Sequence, residues 1–225
     1  MPRVARIVSP GTPYHVTQRG NRRGAVFFSD YDREAYLACL AEYCLRYDVV
    51  VLAYCLMSNH VHLVAVPETL SSLERVLRPL HTRHAQRINR LKGWSGHLWQ
   101  GRYFASALDA QYLWAAIRYV ELNPVTAKLV ARAEDYRWSS AAAHCGLRSD
   151  RLLIRHPTWT PLFHGIGDWK AWLERGEIPA ERSMLRRNTG KGLPCGSQAF
   201  IEQLEQATGR SLQFRARGRP KKVVG

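Results

Sequence analysis

With 225 residues, 46% of them hydrophobic, the chain can build one substantial packed domain and an appendage, which excludes global disorder. Lys and Arg number 33 against 18 Asp and Glu, a formal charge of +15 that points to a polyanionic partner. Ten Tyr, seven Trp and six Phe accompany the charge, a mixture suited to unstacked bases of a single nucleic-acid strand, although composition alone also fits a ribosomal or membrane-surface protein.

Tyr14 to Gln18 alternates in strand fashion, and Arg19 to Gly24 reads as a basic turn into a second short apolar segment, Ala25 to Phe28, so a hairpin is predicted. Ser29 or Asp30 can cap a helix in which Tyr36, Leu37, Leu40, Tyr43 and Cys44 recur at helical spacing. Val49 to Leu56 and His60 to Val66 read as two antiparallel strands joined at Ser58-Asn59. A long basic helix runs from Ser71 or Ser72 towards Lys92, with Pro79 expected to kink it. Gly93 to Gly101 is a loop rich in Trp and Gly, Arg102 to Leu108 a further strand, and Asp109 a cap for a helix from Ala110 to Leu122 that Asn123-Pro124 ends. Strands and helices in this order indicate an α+β layer on an antiparallel sheet.

Beyond about residue 150 the pattern weakens into an irregular extension that Trp159, Phe163, Trp169 and Trp172 could anchor, with a short amphipathic segment at Ser197 to Thr208. The expected division is a domain over 1–148 and a basic C-terminal extension over 149–225 that ends in a DNA-binding tail. The longest apolar run, Val49 to Met57, is far shorter than the roughly 20 residues of a membrane span, and Met1-Pro2-Arg3 opens no secretory leader. The expectation is a cytoplasmic protein with no membrane partner. Five cysteines without a CxxC pair argue against a disulfide framework and a thiolate zinc site.

His60 and His62 lie two apart in a predicted strand, where side chains share a face at roughly 6.5 Å spacing, so both imidazoles can converge on one divalent ion. A solvent-facing or structural pair is the alternative. Tyr119 and Asn123 stand one helical turn apart, about 6 Å along the axis, so an amide oxygen could complete the histidine site while the phenol faces a bound phosphate. Otherwise Tyr119 packs beside Ile117 and Val120, and Asn123 simply caps the helix.

Tyr14-His15-Val16, Met57 to His62, Trp99-Gln100-Gly101-Arg102-Tyr103 and Tyr119 to Pro124 together resemble the REP-associated tyrosine transposases of the HUH single-tyrosine class, in consistent order over about residues 3 to 145. The resemblance implies a ferredoxin-like antiparallel sheet with helices packed on one face, the HUH nuclease fold. It also implies Tyr119 as nucleophile, with His60, His62 and Asn123 as ligands of Mg²⁺ or Mn²⁺; many relatives carry glutamine where this chain has Asn123. The implied activity is cleavage and rejoining of single-stranded hairpin DNA from repetitive extragenic palindromes through a 5′-phosphotyrosine link. Arg19, Arg22, Arg23, Arg102 and Arg118 are candidates for backbone phosphates. Arg217 and Arg219, in a segment similar to an AT-hook, are candidates for a narrow minor groove. A catalytically silent DNA-binding regulator and a nuclease that activates water remain alternatives, and monomer or homodimer stays open.

Overall fold

Three runs of apolar residues and one short strand build the sheet. The computed structural model describes residues 8–153 and 156–212. Strands β1 (Tyr14–Arg19), β2 (Val49–Leu56), β3 (His60–Pro67) and β4 (Phe104–Ala107) line up in the order β2-β3-β1-β4. Every neighbouring pair is antiparallel.

Helix α1 (Asp30–Arg46) starts on a reciprocal cap: Ser29 Oγ accepts from the Asp32 amide while the Asp32 carboxylate accepts from the Ser29 amide. Helix α2 (Ser72–Lys92) runs through Pro79 and ends on Gly93 in the left-handed region. Their apolar residues, Tyr36 and Leu40 from α1 and Leu73, Leu77 and Leu80 from α2, bury one face of the sheet against Tyr14, Val16, Val61, Leu63 and Ala65. The βαββαβ order is ferredoxin-like, as the resemblance implied.

The predicted hairpin after β1 does not form. β1 pairs instead with β3 and β4 and occupies the interior of the sheet. Val26 and Phe27 donate their amides to the Ser58 carbonyl and bury their side chains in the first core, so the apolar segment serves as packing rather than as a strand.

The second face is covered too, which corrects the expectation of helices on one face. α3 (Ala110–Glu121), capped by Asp109 through the Tyr112 amide, sets Leu113, Ala116, Ile117 and Val120 on Ala53, Cys55, Val64 and Val66. β2 and β3 are apolar on both sides, and a sheet of that kind must bury both. Leu122 keeps right-handed helical angles, and α4 (Asn123–Thr126) follows directly, so the path bends at Asn123-Pro124.

After α5 (Ala141–His144), the stretch expected to be irregular carries four helices among its described residues: α6 (Thr160–His164), α7 (Trp169–Glu174), α8 (Pro179–Lys191) and α9 (Gln198–Thr208). Trp169, Trp172 and Leu173 of α7 and Leu185 of α8 enter the second core, and α8 packs on β4, α3 and β1. α8 buries Leu185, Asn188 and Thr189, mostly polar positions, so it writes no apolar stripe into the sequence. Arg217 and Arg219 lie outside the described residues. Among the described residues no helix is long and apolar enough to cross a membrane.

Candidate active site

Strand register assembles the first half of the site. Arg19 stands opposite His60, Thr17 opposite His62 and His15 opposite Val64. Alternation with the buried Tyr14, Val16, Val61 and Leu63 turns His15, Thr17, Arg19, His60 and His62 to the face that α3 covers. His15 and His62 are diagonal neighbours across two strands, with stacked rings 5.2 Å apart and His15 Nε2 3.0 Å from His62 Nδ1. The rings of His60 and His62 meet edge to face at 4.8 Å.

Helix α3 delivers the second half from the same chain. The Tyr119 ring lies edge-on to His62 at 5.3 Å and to His15 at 5.5 Å. Asn123, one turn later, donates from Nδ2 to the Tyr119 carbonyl at 3.3 Å. Its side chain also acts on both groups electrostatically, favouring the charged form of the His60 ring and of the Tyr119 phenol. Asn123 therefore stands between the His60 ring and the phenol where α3 gives way to α4. Between Tyr119 and Asn123 in the chain, Glu121, fully buried, accepts from Ser140 Oγ, from Trp169 Nε1 at 2.8 Å and from His144 Nδ1 at 2.6 Å, which pins the helix end to α5 and α7.

Burial makes all three rings poor bases. It pushes His15 down to about 3 and His60 to about 4, with the Arg19 charge adding to the fall at His60. His62 is held well below the usual histidine range by burial first, then by His60, His15, Arg19 and Arg186. Each ring is thus neutral at pH 7 and offers one lone pair. His60 Nδ1 lies 2.6 Å from Asn59 Oδ1, which only accepts, so Nδ1 carries the proton and Nε2 the lone pair. Burial raises the Tyr119 phenol, while Asn123 and Arg186 pull it back.

The candidate arginines separate. Arg19 belongs to the site face, and Arg22 and Arg23 are exposed on the adjoining turn with φ of 52° and 62°. That turn is tied to the histidine strand: the Gly20 amide donates to the Asn59 carbonyl at 2.8 Å, and Asn59 Nδ2 donates to the Arg23 carbonyl at 2.9 Å. Only glycine fits at 20, since a Cβ there would sit 2.1 Å from the Gly24 oxygen. Arg102 lines a groove of about 800 Å³ beside Arg78, His81, Trp99 and Tyr103 of the α2 side. Arg118 lies over the Trp172 ring at 4.3 Å with Glu181 and Glu177 nearby, which ties it to α7 and α8 rather than to the histidines.

Sequence reasoning missed His15, Asn59, Arg182, Arg186 and Thr189. His15 had a trace in the sequence, a polar residue at an inward position of an alternating strand. Thr189, whose Oγ1 lies 2.8 Å from His15 Nδ1, left none, because it comes from a polar helix far along the chain. Arg186 and Arg182, one and two turns before Thr189 on α8, add positive field at Tyr119. No group of three or more His, Cys, Asp or Glu among the described residues is arranged to hold a metal ion.

Among solved structures, the chain is similar to a REP-associated tyrosine transposase bound to a REP hairpin, with 16% identity and a TM-score of 0.51 over 70% of this chain and 96% of that one. That likeness is one of fold. It is also similar to a transposase-like chain from Deinococcus radiodurans R1, with 18% identity and a TM-score of 0.37 over 49% of this chain and 88% of the other. No curated protein matches it. The family model for IS200-like transposases matches residues 9–123, just over half of the chain, and spans His15, His60, His62, Tyr119 and Asn123. The chain belongs to the IS200-like transposase family.

Proposed function

We propose that this transposase cleaves and rejoins single-stranded hairpin DNA of repetitive extragenic palindromes, with Tyr119 as nucleophile and His60, His62 and Asn123 as ligands of Mn²⁺ or Mg²⁺. One observation carries the reading: the Tyr119 ring lies 5.3 Å, ring to ring, from His62, whose own ring meets that of His60 at 4.8 Å. The partner in the solved relative, a REP hairpin, supports the choice of DNA.

The donor set fits a divalent ion, because two neutral imidazoles have free lone pairs and the Asn123 amide has an oxygen to add. Nitrogen donors favour Mn²⁺ over Mg²⁺, which prefers oxygen. When bound, such an ion supplies charge neutralisation at a phosphodiester whose oxygens repel a nucleophile.

The protein's own groups do the rest. Arg19, Arg182 and Arg186 surround the site with positive field, which draws a phosphate in and favours phenolate over phenol. The Tyr119 oxygen bonds to phosphorus, the bond from phosphorus to the 3′ oxygen breaks, and that oxygen leaves as a hydroxyl after taking a proton. The phenol, raised by burial, loses its proton to solvent or to a neighbouring base during attack. The phosphotyrosine link conserves the bond energy, and the reverse attack by a 3′-hydroxyl rejoins strands without a nucleotide cofactor.

Labelled single-stranded hairpin incubated with the protein and Mn²⁺ is expected to give a covalent adduct that survives denaturation and is absent from Tyr119→Phe. Cutting by Tyr119→Phe would assign the nucleophile to water. Binding without cutting by either protein would make the chain a regulator.

A further inference from the structure

Thr189 lies on α8, beyond the residues that the family model matches, yet its hydroxyl reaches into the site. Thr189 is 2% exposed, His15 1% and His62 4%, so none of the three can exchange its partner for water. They form one chain of hydrogen bonds: Thr189 Oγ1 to His15 Nδ1 at 2.8 Å, then His15 Nε2 to His62 Nδ1 at 3.0 Å.

A neutral imidazole has one N–H and one lone pair, so the direction of the bond at Thr189 fixes the proton on His62. If Oγ1 accepts from His15 Nδ1, then His15 Nε2 accepts from His62 Nδ1, and His62 Nε2 keeps its lone pair. In the opposite direction His62 carries its proton on Nε2 and has no electron pair there to give. Only the first direction, with Oγ1 accepting from His15 Nδ1, leaves His62 Nε2 able to ligate, and the cation reading requires it.

We infer that His15 and Thr189 are positioning residues that hold His62 in the Nδ1–H form and so reserve its Nε2 for a cation. This rests on the reading of His60 and His62 as a cation site. Asn59 does the same for His60 at 2.6 Å, so two unrelated partners leave the same atom of each ring unprotonated. Helix α8 becomes a working part of the site through Thr189, not an appendage to it.

The test uses the full chain with ¹⁵N-labelled histidine. Long-range ¹H–¹⁵N spectra of the metal-free protein, with His62 assigned by loss of its signals in His62→Gln, report the tautomer directly. The expected result is Nδ1–H for His62 in the wild type and in Thr189→Ser, and a mixture of tautomers in Thr189→Val. Mn²⁺ titration followed by electron paramagnetic resonance is expected to show affinity roughly 10- to 100-fold weaker in Thr189→Val and restored in Thr189→Ser. His62 found as Nε2–H in the wild type overturns the inference, as does a Thr189→Val protein with unchanged tautomer and unchanged Mn²⁺ affinity. Should Thr189→Val fail to fold, the wild-type spectrum decides alone. A wild type that binds no Mn²⁺ while showing Nδ1–H defeats the cation reading and leaves the positioning role standing.

Discussion

One sheet presents two faces of opposite character. Beneath α1 and α2, strands β1 and β3 offer Tyr14, Val16, Val61, Leu63 and Ala65, where the one functional group, the Tyr14 phenol, is buried and accepts from the Ser9 amide. Two residues' difference in register would exchange nothing there except volume. On the α3 side the same strands offer Val66, then Val64 across from His15, and then Thr17, Arg19, His60 and His62 towards the other end. Packing holds the first face together, while hydrogen bonds hold the polar end of the second, and the two should fail in different ways.

The sharpest break is expected at Tyr119. Tyr119→Phe keeps the ring against His15 and His62 but removes the attacking oxygen, so adduct formation should fall by a factor on the order of 10⁴ or more with hairpin affinity kept. An adduct that persists would show that some other group attacks. The double change His60→Ala with His62→Ala should likewise stop cutting, and a chelator should reproduce it in the unaltered protein. Full cutting in chelator removes the metal from the mechanism.

The apolar face should answer in stability instead. Leu63, 2% exposed in the first core, is expected to cost about 2–5 kcal/mol when changed to Ala, read as a shift in denaturant midpoint, with the adduct yield per folded molecule unchanged. A Leu63→Ala protein that folds normally but cuts poorly would deny that the faces divide their labour.

Acid separates them further. His60 and His15 sit at about 4 and about 3 in the folded chain, below the ordinary 6.5, so the unfolded chain binds more protons as pH falls. Their stabilisation is complete above pH 6.5 and is lost downward through about 4 and then about 3, worth at most about 3 kcal/mol for His60. Leu63→Ala should lower the whole stability curve without changing that acid slope. Equal stability at pH 7 and pH 4 would mean the rings are not buried neutral.

The difference between the faces also explains what the sequence disclosed. Period-two alternation in β1 and β3 put His60 and His62 on one side, and a four-residue spacing put Tyr119 over Asn123, because both follow from backbone geometry within a single element. The central place of β1 was not legible, since Ala25 to Phe28 has the composition of a strand and only its bonds to Ser58 show otherwise. Thr189 was hidden for a different reason: it meets His15 across 174 residues, and no periodicity encodes a contact of that length.

The C-terminal region must accordingly be divided before its charge is assigned to DNA binding. Deleting residues from 181 onward would remove most of α8, and with it Arg182, Arg186 and Thr189, so a loss of cutting would report on the site itself. Deleting 213–225 instead spares every described residue and removes Arg217 and Arg219. If those two arginines each neutralise a phosphate, the slope of log affinity against log salt should become shallower by roughly 1.5 to 2. Cleavage of hairpin already bound should stay the same, since the groups around Tyr119 all lie before residue 190. An unchanged slope would take DNA binding away from the tail and return it to the arginine turn beside His60, where Arg22→Ala and Arg23→Ala would then carry the salt dependence.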